Sequence, residues 1–183
     1  MAPLPETPKA PILRMSHAAQ RHDFRDKPRA YEQLAQELGA LLAGERDTIA
    51  NAANTAALIF GALPQINWAG FYFLKDGELV VGPFQGQPAC VRIALGKGVC
   101  GTAAAERRTL IVPDVHEFPG HIACDAASRS EIVVPLIRGA TLLGVLDIDS
   151  PHTARFDAAD ATGLERLAAL FIAASAAPLP DRG

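Results

Sequence analysis

The chain has 183 residues, 49% of them hydrophobic, and a formal net charge of −3. That is enough apolar matter for one globular domain with a sizeable core. The mild acidity, with no Lys/Arg cluster, argues against nucleic acid as a partner. No apolar run approaches the roughly 18 residues of a membrane span, and the N-terminus lacks the compact apolar segment of a secretory signal.

Residues 1–26 are rich in Pro, Ala and Arg, have no sustained periodicity, and are expected to form a flexible extension. The domain proper is expected over 27–177, with 178–183 a frayed tail. Pro28 suits the first turn of a helix with Asp26 near its cap. Tyr31, Leu34, Leu38, Leu41 and Leu42 then follow at helical spacing as far as Gly44. A second helix is predicted over 47–61, with Ile49, Ala52, Ala53, Ala56, Ile59, Phe60 and Leu63 marking its buried face; Pro64 ends it.

Asp76-Gly77 is a strong two-residue turn signal, and it joins predicted strands 67–75 and 78–84 into a hairpin. Period-two alternation puts Trp68, Gly70, Tyr72 and Leu74 on one face, and Ala69, Phe71 and Phe73 on the other. A third strand is expected over 90–95 and would place Cys90 and Arg92 on one face. It leads into Gly96-Lys97-Gly98-Val99-Cys100-Gly101, formally GxGxxG. A dinucleotide fold needs an opening strand and a long crossover helix. Only about two turns are available over 102–107 before strand 109–112, so the glycines make a tight entry to a short helix.

Residues 114–131 form a long polar connection holding Cys124, His116, His121 and Asp114. Structureless connections of that length in a compact domain are usually functional or disordered. Strands 132–137 and 142–148 follow as an antiparallel pair, with Leu142, Gly144, Leu146 and Ile148 on the face toward helices, and a helix over 156–174 closes the chain, capped by Asp157. Strands in sequence with helices at both ends give an α+β class: an antiparallel sheet with helices on one face and loops over the other.

Asp147 and Asp149 lie two apart in a strand, so both carboxylates face one way, roughly 7 Å apart. Two acids together in a strand break local preference twice, which is where function is expected. A cationic ligand group would relieve their repulsion, and so would one acid that keeps its proton. Glu131, at the exit of the polar connection, is a candidate third acid.

Cys90, Cys100 and Cys124 form no CxxC pair, and their odd number makes a poor disulfide framework. They suit a cytoplasmic setting with inert or redox-active thiols, and three thiols supply an attacker, a resolver and a relay. The spacing of His116, His121 and Cys124, even with Asp114, matches no closed zinc site, so no metal is expected.

Beyond this chemistry, six segments resemble one family. They are NWAGFYFL, GPFQGQPAC, GKGVCGTAA, VPDVHEFPGHIACD, SEIVVPL and GVLDIDSP. Over residues 30–174 the chain is similar to the free methionine-(R)-sulfoxide reductases, which are single-domain GAF proteins. The resemblance implies a six-stranded antiparallel GAF sheet with terminal helices on one face and a ligand pocket under loops on the other. It implies reduction of the R epimer of free methionine sulfoxide. Cys124 would be the nucleophile that becomes a sulfenic acid. Cys90 would be the resolving thiol, with Cys100 able to resolve or relay, and thioredoxin or another thiol would reduce the disulfide without a further cofactor. Glu131, Asp147 and Asp149 would bind the substrate ammonium and hydrogen-bond or protonate the sulfoxide oxygen. Trp68 and Tyr72 would line the apolar end near the S-methyl. The sequence does not choose between Cys90 and Cys100 as first resolver, nor does it name the acid that donates. The Ala-rich helices are compatible with a homodimer. A non-catalytic GAF sensor of a small molecule or of redox state is the competing expectation, motivated by fold alone.

Overall fold

Aspartates start three of the four α-helices among the described residues. In the computed structural model, which describes residues 22–120 and 127–176, Asp26 caps α1 (Lys27–Leu41) by accepting from the Arg29 N–H. Asp47 caps α2 (Thr48–Ala62) through the Ala50 N–H at 2.8 Å. Asp157 opens α4 (Ala158–Ala174) with a reciprocal capping box, in which the Asp160 side chain returns to the Asp157 N–H. Each cap satisfies backbone donors that the first helical turn leaves without partners.

Between α2 and α4 lie β1 (Trp68–Lys75), β2 (Glu78–Gly86), β3 (Arg92–Ala94), α3 (Gly98–Glu106), β4 (Leu110–Val112), a 3₁₀ turn (Val115–Glu117), β5 (Ser130–Arg138) and β6 (Thr141–Ser150). The strands form one six-stranded sheet in the order β3-β2-β1-β6-β5-β4. Every pairing is antiparallel.

The sheet separates two apolar clusters. One is built from inward residues such as Phe71, Ile132, Leu146 and Ile148 against α1, α2 and α4. Phe71 meets Phe171 of α4 at 4.6 Å between ring centroids. The other cluster joins Trp68, Tyr72, Val133 and Val145 to α3 and the loops. Alternation along the strands makes this division, and in β1 odd and even positions serve different cores.

α1 and α4 are pinned by one buried acid. Asp160 is fully buried and receives Tyr31 Oη at 2.9 Å, Lys27 Nζ at 2.6 Å and Arg155 Nη1 at 3.2 Å. Gly163 leaves room for the Tyr31 ring, which a Cβ at that position would strike. Phe24 stacks edge-on against Tyr31 at 5.3 Å, and His22 bonds Glu37 at 3.1 Å. Residues 1–21 of the expected extension and all of the expected tail 178–183 lie outside the described residues.

The glycine-rich segment behaves as the dinucleotide argument requires. Gly96 and Gly98 both take positive φ, and α3 lasts nine residues before Arg107 turns left-handed into β4. Three local expectations are corrected. β3 spans only Arg92–Ala94, so Cys90 precedes the strand and shares no strand face with Arg92. Ile49, Ala53 and Phe60 are exposed; α2 buries Asn51, Ala52, Thr55, Ala56 and Ile59, because its contact stripe is rotated toward the small residues that allow close approach. Leu142 joins the pocket-side cluster, since a register shift between Leu136 and Ile137 in the β5–β6 ladder reverses the alternation there.

Candidate functional site

The acids converge because of strand register. Asp149 pairs with Trp68 on one side and with Glu131 on the other, so these three side chains form one row across β1, β6 and β5. The next row holds Gly70, Asp147 and Val133, and the following one holds Tyr72 and Val145. Glu131 lies inside β5 and not in a connection before it, because β5 begins at Ser130. Its partner on the other edge is Val112 of β4.

Above this face sits a pocket with about 540 Å³ of empty space, counting its open mouth. Its floor is Cys100, Glu131 and Asp147; its aromatic wall is Trp68 and Tyr72. Trp68 stacks on Phe84 at 5.2 Å and on Tyr72 at 5.9 Å, and its indole N–H donates to the Gln87 carbonyl at 3.1 Å. Gly70 makes this stack possible, because a Cβ there would collide with both Phe84 and the Trp68 ring. Pro88, Ala89, Lys97 and Ser128 complete the rim. Ser128 is held by the Asn67 amide at 3.1 Å, while Asn67 N–H donates to the Asp149 carbonyl at 3.0 Å.

The floor is buried, which decides its electrostatics. Glu131 is 7% exposed and Asp147 5%. Burial pushes the Asp147 carboxyl up to about 7. Burial, then the charges of Asp147 and Asp149, hold Glu131 well above the ordinary carboxylate range. Removing a carboxylate from water penalises its charged form, and like charges nearby add to the penalty. At neutral pH the floor therefore stores protons. Asp147 Oδ1 is buried and has no hydrogen-bond partner among the described residues. A buried acceptor left in that state is aimed at a ligand, or it costs stability.

Cys100 is a free, buried thiol in the first turn of α3, with Sγ 3.7 Å from Glu131 Oε1. Burial pushes its thiol up, and Asp147 and Glu131 push further, so it is a poor nucleophile. Cys90 is engaged in a disulfide. It packs half-buried against the pocket-side cluster, next in sequence to Ala89 of the rim. Cys124 and His121 lie outside the described residues. Asp114 caps the 3₁₀ turn that holds His116: it accepts from the His116 N–H and pairs with Arg129 at 3.2 Å, and neither residue lines the pocket. The one group among the described residues with metal-ligand proximity is Cys100, Glu131 and Asp147, whose ligand atoms lie within 4.8 Å of one another.

Sequence reasoning missed Lys97, Ser128, Pro88 and Ala89. The first stands in the GKGVCG segment, whose position over the sheet depends on Gly101 fitting tightly against the Ala94 carbonyl. A one-dimensional pattern does not carry that contact. The other three come from loops, which have no period to read.

An antiparallel sheet with helices behind and a pocket in front, roofed by a short helix and loops, defines the class of GAF domains. The GAF domain family matches residues 46–174. The free methionine-R-sulfoxide reductase of Escherichia coli is 54% identical over 144 residues, 79% of this chain and 87% of that one. A structure of the Neisseria meningitidis free methionine-R-sulfoxide reductase in complex with its substrate superposes with a TM-score of 0.82 at 44% identity. It covers 86% of this chain and 95% of its own. A Burkholderia vietnamiensis protein, provisionally described as a GAF sensor, gives a TM-score of 0.79 at 60% identity over 81% of this chain and 95% of that one. The chain belongs to the GAF-domain family and, within it, to the free methionine-R-sulfoxide reductases.

Proposed function

We propose that this protein reduces free L-methionine (R)-S-oxide to methionine with thiol electrons. The observation that carries the reading is the floor of buried, proton-holding carboxyls, Glu131 and Asp147, beside an aromatic wall. The relatives named for this activity support it. An amino-acid substrate brings an ammonium for Asp149 and its neighbours, a methyl thioether for Trp68 and Tyr72, and a sulfoxide oxygen that must gain a proton.

In this proposal Cys124 is the nucleophile. It lies four residues before Ser128 of the pocket rim, a reach of up to about 14 Å of extended chain. Its thiolate attacks the sulfoxide sulfur while a carboxyl proton passes to the oxygen. The S–O bond breaks, the oxygen is retained on Cys124 as a sulfenic acid, and methionine leaves reduced by two electrons. The Cys90 thiol then displaces water from the sulfenic acid and forms a disulfide. That Cys90 is disulfide-bonded while Cys100 is free supports Cys90 as the resolver. A dithiol protein of the thioredoxin type returns two electrons and two protons, in the cytoplasm. Lys97 and the first turn of α3 suit the substrate carboxylate. Ile49 at 55% exposure and Phe60 at 36% give α2 an uncovered apolar stripe that supports pairing of two copies.

The test is methionine formation from each sulfoxide epimer with dithiothreitol or thioredoxin. Reduction of the free R epimer alone is expected, and Cys124→Ser abolishes it. Full activity in Cys124→Ser reassigns the nucleophile. Absence of reduction together with tight binding of a cyclic nucleotide would favour the sensor.

A further inference from the structure

The same floor places Cys100, a thiol that the proposed reduction leaves idle, beside two carboxyls that it uses. We propose that Cys100 Sγ and one carboxylate oxygen each of Glu131 and Asp147 form a binding site for a thiophilic divalent cation of the zinc class, and that an ion there shuts the pocket to its organic ligand. The site itself rests on geometry alone; only the consequence for the sulfoxide rests on the function proposed above.

The three ligand atoms lie within 4.8 Å of one another on buried side chains. Zinc–sulfur and zinc–oxygen bonds of about 2.3 and 2.1 Å at a tetrahedral angle put sulfur and oxygen about 3.6 Å apart. Cys100 Sγ and Glu131 Oε1 already stand at 3.7 Å. Asp147, from the neighbouring strand, brings a carboxylate oxygen within 4.8 Å of both and completes the triad.

An independent observation points to a ligand. Asp147 is 5% exposed and lines the pocket, and its Oδ1 has no partner among the described residues. A divalent cation would satisfy that acceptor and offset two of the negative charges gathered there. Lys97 is the single cationic side chain among the described lining residues, and it belongs to the exposed rim. A thiolate with two carboxylates favours a borderline-soft ion over magnesium or calcium, which select oxygen alone. Three protein ligands leave a fourth tetrahedral position for a water molecule. Binding displaces the Cys100 proton and the carboxyl protons, so occupancy rises with pH.

The test uses the oxidised protein, in which the Cys90 disulfide is formed, so that the active-site thiol pair is blocked and Cys100 is free. Co²⁺ serves as a coloured substitute and Zn²⁺ as competitor. One equivalent of cobalt is expected to give a thiolate-to-cobalt absorption, bleached by zinc, absent in Cys100→Ser, and weakened at least tenfold in Asp147→Asn. Circular dichroism and thermal unfolding establish that both variants fold. Absence of the band in the parent protein, or its persistence in Cys100→Ser, overturns the site. Free methionine sulfoxide should weaken cobalt binding; no competition overturns the closure of the pocket. Turnover in chelator reports the reductase reading separately, so either idea can fail alone.

Discussion

Burial holds the Asp147 carboxyl up to about 7, and that one value has two consequences. In the unfolded chain an aspartate titrates near 3.9. Between roughly pH 4 and pH 7 the native state therefore holds a proton that the unfolded state has lost. The stability contributed by this proton is complete below the unfolded value and is lost as pH rises through 7. Asp147→Asn keeps the shape and removes the titration. The variant should gain at least about 1 kcal/mol over the parent at pH 8, some 2–4 °C in Tm, and show a flatter stability profile between pH 5 and 8. Thermal melts across that range check it. Its sulfoxide reduction should fall at least about a hundredfold, in the range for loss of a proton-transfer group. With Asp147 as the donor, the parent kcat/KM declines above about pH 7, since kcat/KM reports the ionisation of the ligand-free protein.

The two described cysteines should separate on substitution. Cys90→Ser is expected to stop thioredoxin-driven turnover but release one methionine per protein, measured by rapid quench. Cys100→Ser keeps a hydroxyl beside Glu131 at the place of the 3.7 Å contact. It should cost less than about tenfold in kcat, the size of one ordinary hydrogen bond.

At the scale of elements, the helices are anchored by acids and the site by strand register. Asp157→Ala removes the capping box of α4 and the Lys27 contact at 2.8 Å, and should destabilise by about 1 kcal/mol. Asp160→Ala is more severe. It takes the acceptor from the buried Tyr31 hydroxyl and the carboxylate from the buried head of Arg155, and should cost about 3–5 kcal/mol in denaturant unfolding. Neither change touches the pocket, so activity per folded molecule should persist. Asp157 and the Asp76-Gly77 turn were readable in the sequence because cap and turn chemistry is local. The burial of Ile49, Ala53 and Phe60 was misread because apolar spacing does not say which side of α2 meets the sheet.

For the whole molecule, the sheet divides labour: helices and one core behind, pocket and second core in front. A floor of buried acids under a small pocket should discriminate against substrates whose ammonium is acylated or whose carboxylate is extended. N-acetylmethionine sulfoxide and peptide-bound methionine sulfoxide should therefore be reduced at least about a thousandfold less efficiently than the free amino acid in kcat/KM, since blocking a buried charge partner costs several kcal/mol. Equal rates for the peptide would mean that the pocket does not enclose its substrate.

The sequence by itself determined the strand alternation, the helix caps, the pairing of Asp147 with Asp149 on one face, and the family resemblance carried by the cysteines and the DID motif. These are properties of neighbours along the chain, whose side-chain directions follow from backbone periodicity. Only the tertiary structure decided that Glu131 is a buried strand residue in line with Asp149 and Trp68. The same holds for the seating of Cys100 on that acid floor and for the engagement of Cys90, but not Cys100, in a disulfide. Desolvation explains the difference: the protonation of Glu131, Asp147 and Cys100 depends on excluding water from a space enclosed by β1, β5, β6 and α3, segments far apart in sequence.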